Sequence, residues 1–168
     1  MTVSGGGIGI DTSEGTFTAF FSERGLVQLD FPGPNGSRRP GSQTNPVVTP
    51  DQLCWHAMTA EALRQVLAGE RPKGLPPLDW SGHTRFRQQV WRALLNLGPG
   101  ETKSYAQIAA GLGKPLAARA TGGACGANPI PVLVPCHRVL AANGRLGGFS
   151  GGLDWKRRLL AREGVAVK

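Results

Sequence analysis

In Pro131-Val132-Leu133-Val134-Pro135-Cys136-His137-Arg138-Val139, an apolar run stops at a proline and delivers a cysteine and a histidine side by side. Val132 to Val134 has the pattern of a short buried strand. Pro135 ends it, because proline has no N–H to give to a sheet ladder. Cysteine and histidine are the side chains most readily recruited as nucleophile and base near neutral pH. Each has a plainer reading, the cysteine as a small buried hydrophobe and the histidine as a structural hydrogen-bonder. Neighbouring residues also point apart in regular structure, so Cys136 and His137 couple only in a turn or through a water.

The surrounding chain has 168 residues with 25 Gly and 13 Pro, enough for one large or two small domains with many turns. No apolar run approaches the ~18 residues of a membrane span, and no basic-then-apolar start marks a secretory signal. Cys54, Cys125 and Cys136 cannot all pair, and their wide spacing fits a reducing cytoplasm. Whether Cys125 is reactive is left open by its context. Cys54, His56 and His83 lack a Cys-x-x-Cys pair and a fourth ligand, so no metal is expected. Nothing calls for a cofactor.

The charge is unevenly placed. Residues 1–80 carry six Lys/Arg and eight Asp/Glu, a net −2, whereas residues 81–168 carry thirteen and three, a net +10. A strongly basic half is the electrostatic footprint of a polyanion partner. The plainer alternative is a soluble basic surface.

From the start, Met1 to Gly7 is glycine-rich and frayed in expectation. Thr16 to Phe21 and Leu26 to Phe31 read as strands joined by a turn at Gly25. Phe31 to Pro50, with Arg38-Arg39, reads as an exposed loop. Thr59 to Gly69 reads as a helix with Thr59 as its cap. The three prolines between Arg71 and Pro77 mark a linker, so residues 1–80 form one α/β module with its linker near 71–79, and 81–168 form a second, mainly helical domain. In that domain Phe86, Val90, Leu94 and Leu97 recur at helical spacing. Ser104 and Gln107 fit a capping box. After Gly113-Lys114, Pro115 suits the first position of another helix, and two short helices about a glycine turn form a helix-turn-helix pattern. The second helix is built of alanine, glycine and threonine with Arg119 as its one long side chain. Such a bare face suits entry into a groove, or else tight packing with Arg119 solvated. Asn143-Gly144 favours a hairpin turn. The last helix has Asp154 as cap, Trp155, Leu159 and Leu160 inside, and Lys156-Arg157-Arg158 outside. Glu163 in its last turn opposes the helix dipole, which suits a carboxylate serving something other than the helix.

From about Thr84 to Gly164 these elements resemble the O6-alkylguanine-DNA alkyltransferases. The matching strings are Gly100-Glu101-Thr102-Lys103-Ser104-Tyr105, Lys114 to Ala120, Asn128-Pro129, Pro135 to Val139, Ser150-Gly151-Gly152 and Leu159 to Gly164. The first half resembles the family loosely, through its hairpin, and the resemblance implies a ribonuclease-H-like α/β module there. It implies that Cys136 takes an alkyl group from O6 of guanine, and that His137 deprotonates it through a bridging water. Glu163 would orient His137, and Asn128 would brace the turn. Tyr105 would turn the nucleotide out of the duplex and donate towards the leaving purine, while Arg119 fills the gap. Phe149, Ser150 and Gly151 would close on the flipped base, and the backbone of Cys136 and Val139 would read its edge. Arg138 would be a structural ion-pair partner. Phe149 stands where some relatives have tyrosine, with ring packing retained.

The chemistry agrees. Displacing guanine from an alkyl carbon requires a thiolate, supplied through a lowered pKa. The buried atom is reached only by flipping. No group here cleaves a thioether, so one turnover is expected, on double-stranded DNA carrying O6-alkylguanine or O4-alkylthymine, by a monomer. The competing readings are a non-catalytic alkyl-damage-binding protein, which carries tryptophan in place of Cys136, a sequence-reading regulator, which needs more base-facing side chains than Arg119, and a cysteine hydrolase, which turns over repeatedly.

Overall fold

The computed structural model describes residues 6–33 and 49–167. The glycine-rich start and the loop from Phe31 to Pro50, with Arg38-Arg39, lie largely outside the described residues. Strands β1 (Ile8–Thr12), β2 (Gly15–Phe21) and β3 (Leu26–Asp30) form an antiparallel meander in that order. Phe17, Ala19 and Phe21 all turn inward from β2, as a period of two requires. Strand β1, which no sequence pattern announces, pairs Ile10 with Phe17.

Helix α1 (Pro50–Leu67) begins well before Thr59. Thr59 is not its cap: it is buried inside the helix, with its hydroxyl donating to the Trp55 carbonyl at 2.7 Å. The cap is Thr49, which exchanges hydrogen bonds with Gln52 in a capping box while Pro50 fills the first turn. The early turns are largely exposed, so apolar periodicity emerges only towards Leu63.

Thr84 caps α2 (Arg85–Leu95), which buries Val90, Trp91 and Leu94. Strand β4 (Lys103–Ser104) pairs in parallel with β5 (Val139–Leu140), which ties the residue before Tyr105 to the segment just after Cys136. Ser104 and Gln107 form the expected capping box on α3 (Tyr105–Gly111). Pro115 opens only a 3₁₀ turn to Ala117, and α4 runs over Ala118–Gly126. Asn143, with φ 60, and Gly144 form a turn closed by Ala141 N–H to Arg145 O at 2.8 Å. In α5 (Leu153–Arg162) the capping position is Gly152, not Asp154, whose exposed carboxylate pairs with Arg157 at 3.3 Å.

Residues 70–77, which include the expected linker, hold no helix or strand. The core nevertheless runs across them. Phe17 meets Trp155 at a centroid distance of 5.6 Å, and Leu29 N–H donates to Pro129 O at 2.9 Å. The sheet thus packs directly against the segments that carry Cys136. No helix among the described residues is long and apolar enough to cross a membrane.

Candidate active site

The expected strand over Val132 to Val134 is a buried turn. Pro131 and Val134 form an isolated bridge, and Val132 sits at φ 73, rare for a β-branched residue. Prolines at 129, 131 and 135 remove the N–H groups a ladder needs. Asn128 takes over from inside: its Oδ1 accepts from Ile130 N–H at 3.0 Å, and its Nδ2 donates to Val134 O at 2.9 Å. The same Nδ2 lies 3.1 Å from Cys136 Sγ. Every residue from Ile130 to Leu140 is buried.

Cys136 opens a 3₁₀ turn, Cys136–Arg138. Burial pushes its thiol up to about 11, against the Asn128 hydrogen bond and the positive charge of Lys156. The lowered pKa expected from sequence is therefore absent at rest, because desolvation of the thiolate outweighs both favourable contacts. The thiol rests protonated and needs a base.

His137 is fully buried, with Nε2 2.9 Å from Glu163 Oε1. Burial lowers its pKa despite the opposing carboxylate, so the ring is neutral at rest. Burial would raise Glu163, but hydrogen bonds from His137 and Arg138 prevail and hold it at about 2. An ionised carboxylate only accepts, so Nε2 carries the proton and Nδ1 keeps its lone pair. Nδ1 is buried without a hydrogen-bond partner. Arg138 is the structural ion-pair partner expected: Nε and Nη2 fork onto Glu163 at 2.8–3.1 Å, and Nη1 reaches Leu97 O.

Lys156 overturns its expected place on the outer face of α5. It is fully buried, and Nζ donates to the carbonyls of Val139 at 2.7 Å, of Leu146, and of Gly148 at 3.4 Å. No carboxylate pairs with it among the described residues. Burial lowers its pKa, and Cys136 and Cys125 pull the other way. Its spacing of four residues from buried Leu160, on one helix face, was the signal available in the sequence. Cys125 is also buried, its thiol pushed up to about 12 by desolvation first and by Cys136 second.

Tyr105, half-buried, lies with its ring beside Gly122 and its hydroxyl against Gly147. A Cβ at Gly147 would sit 2.8 Å from that hydroxyl, at a φ of 64 that already favours glycine. Phe149 packs edge-on against Phe31 at 5.6 Å and His137 at 6.3 Å. Ser150 is exposed, and Gly151 lies against the Phe31 ring. Val139 is buried, with its carbonyl held by Lys156. Asn128 with Cys136 and His137 with Glu163 thus form two hydrogen-bonded pairs, adjacent through the Cys136–His137 peptide, with Phe149 beside His137.

Arg119 stands apart, exposed on α4, and Leu116 before it is fully exposed. A Cβ at Gly123 or Gly126 would meet nothing within 4 Å, so internal packing does not require those small residues. The +10 of the second half overstates the charge free to meet a polyanion. Arg138 and Lys156 are buried, and Arg158 and Arg162 both pair with Glu14. A cavity of about 170 Å³ lies behind the turn, lined by Val66, Leu75, Leu97, Val132, Leu133 and Pro135 among others. None of Tyr105, Val139, Phe149, Ser150 or Gly151 lines it, so it is not the expected alkylguanine pocket.

The chain as a whole is similar to known proteins. Residues 85–165 match the family described as 6-O-methylguanine DNA methyltransferase, DNA binding domain. The methylated-DNA–protein-cysteine methyltransferase of Mycobacterium tuberculosis is 47% identical over 115 residues, 68% of each chain. The crystal structure of Mycobacterium tuberculosis OGT in complex with DNA superposes with a TM-score of 0.71 at 39% identity, over 92% of this chain and 90% of that one. The O6-methylguanine-DNA methyltransferase of the archaeon Pyrococcus kodakaraensis gives 0.65 at 26% identity, over 95% and 98%.

Proposed function

The chain belongs to the methylated-DNA–protein-cysteine methyltransferase family, and on that footing we propose that Cys136 is the residue that accepts the alkyl group. The activity is DNA repair by alkyl transfer to a protein cysteine. One observation carries the assignment of Cys136: its thiol is buried in a braced turn, next to a histidine whose free nitrogen is an acceptor.

In our reading the substrate is O6-alkylguanine, with O4-alkylthymine as a second candidate, turned out of double-stranded DNA. Glu163 holds the Nε2 proton of His137, and Nδ1 takes the Cys136 proton by way of a water. Sγ then attacks the alkyl carbon. The S–C bond forms as the C–O6 bond breaks, and the electron pair leaves with the purine. Tyr105 gives its proton to the departing base, and the proton held on His137 returns to the tyrosinate through solvent, so the net result is a thioether and neutral guanine. Asn128 keeps the turn in place, while Val139, Phe149, Ser150 and Gly151 surround the base. A thioether at Cys136 meets no group able to cleave it, so each molecule acts once.

We assign DNA contact to residues 81–168, with α3 and α4 as a helix-turn-helix and Arg119 entering the opened stack. The open side of Gly123 and Gly126 supports this. The meander with α1 is read as the ribonuclease-H-like module of the family, and the protein as a cytoplasmic monomer; three free thiols support a reducing compartment. Incubation with excess methylated duplex DNA tests the central assignment. The intact mass should rise by one methyl group, located on Cys136, and then stay constant. Continued turnover, or the methyl on Cys54 or Cys125, would refute it.

A further inference from the structure

The catalytic cluster draws Glu163 from the end of α5, and that end is held by the first half of the chain. Glu14, in the turn between β1 and β2, accepts from Arg158 at 2.7 Å and also from Arg162, which stand five residues and one residue before Glu163. Arg162 reaches further, with Nη1 donating to the Leu67 carbonyl at the end of α1 at 2.9 Å. Two residues on, Gly69 has φ 80 and touches α5 directly: a Cβ there would collide with the Arg162 carbonyl oxygen. Thus the β1–β2 turn and the end of α1 both seat the backbone immediately before Glu163.

We propose that the N-terminal module acts on the reaction through this seat, with Glu14 and Gly69 as positioning residues for the Glu163–His137 pair. The inference rests on the roles proposed for Glu163 and His137. The carboxylate meets His137 at 2.9 Å and Gly100 N–H at 3.2 Å, so its reach is fixed by where the helix ends. Pushing Arg162 outward carries Glu163 with it. Misplacement of a catalytic group by about 1 Å is enough to cost about a hundredfold in rate.

The test uses the full chain and free O6-methylguanine base, which requires no DNA binding. Gly69→Ala should slow methyl transfer to Cys136 by about ten- to a hundredfold. Gly144→Ala is the control: φ there is 73, equally strained for alanine, but its Cβ would meet nothing within 4 Å. That variant should stay within about twofold of the parent. Glu14→Gln, which leaves the backbone alone, should slow transfer by about two- to fivefold.

The pH profile separates positioning from general loosening. The charged groups bearing on His137 are Glu163, Arg138 and Lys156. With the carboxylate withdrawn, the imidazolium is less favoured and the His137 pKa falls, so the rise of rate with pH should move to lower pH while the rate at its plateau drops. Gly69→Ala and Glu163→Gln should move it in the same direction. If Glu163→Gln alone slowed the reaction while Gly69→Ala matched Gly144→Ala in rate and profile, the seat would be refuted and the roles of Glu163 and His137 would stand. If Glu163→Gln left rate and profile unchanged, those roles would fall, and the inference with them.

Discussion

His137 and Glu163, 26 residues apart in the chain, meet at 2.9 Å with both side chains closed to solvent. The carboxylate fixes the tautomer of the ring and leaves Nδ1, beside the Cys136 thiol in sequence, as the free acceptor. Hydrogen bonds from His137 and Arg138 keep that carboxylate ionised against the burial that would raise its pKa.

The pair has a consequence for stability against acid. Glu163 titrates at about 2 in the folded protein, against an ordinary value of 4.5. A depressed folded pKa gives stability that is full above the unfolded value and is lost as pH falls through the folded one. Glu163→Gln should therefore melt well below the parent at pH 7, and the gap should narrow between about pH 4.5 and pH 2. Thermal denaturation across that range checks it; a gap independent of pH would mean Glu163 contributes by packing alone.

Lys156 places a positive charge near the thiol and ties down the backbone after it. Lys156→Met should leave the carbonyls of Val139, Leu146 and Gly148 short of a donor, at about 1–3 kcal/mol each if they find no other partner. It should also remove a charge that favours the Cys136 thiolate, so transfer at pH 7 should fall by about tenfold and its pH profile should move upward. Lys156→Arg should recover part of the profile. Denaturant titration and rates on the free base measure the two effects separately.

Asn128 holds three partners at once. Asn128→Ala orphans the buried Ile130 N–H and Val134 O and should destabilise the protein by about 2–4 kcal/mol. Transfer should fall further than in a variant destabilised equally elsewhere, because the turn that presents Cys136 loses its brace. Chemical denaturation with single-turnover kinetics at 10 °C, where both variants remain folded, distinguishes the two.

Arg119 separates flipping from chemistry. It is exposed on α4 and touches none of the Cys136 cluster, so Arg119→Ala should slow repair of duplex DNA far more than transfer from the free base, which needs no flipping. His137→Ala should slow both alike. Equal impairment of Arg119→Ala on the two substrates would make the arginine a structural residue.

The local elements whose cause is local were legible from the chain. Ser104 and Gln107 announce α3 because a capping box needs only residues three apart. Phe17, Ala19 and Phe21 announce β2 because alternation reports burial of one face. The strings around Cys136, Tyr105 and Arg119 carried the family. Tertiary structure decided what depends on distant partners. Val132 to Val134 is apolar enough for a strand, but Asn128 and three prolines satisfy its backbone as a turn. Thr59 looks like a cap, yet the preceding turns of α1 are stabilised by Thr49 and by the sheet. Lys156 counts as surface charge until three carbonyls from the loop after Cys136 are seen to enclose it. The resting thiol is weakly acidic because desolvation, invisible in a sequence, outweighs every nearby favourable contact. The seat of Glu163 on Gly69 and Glu14 joins residues far apart in the chain, and only the packed fold brings them to one place.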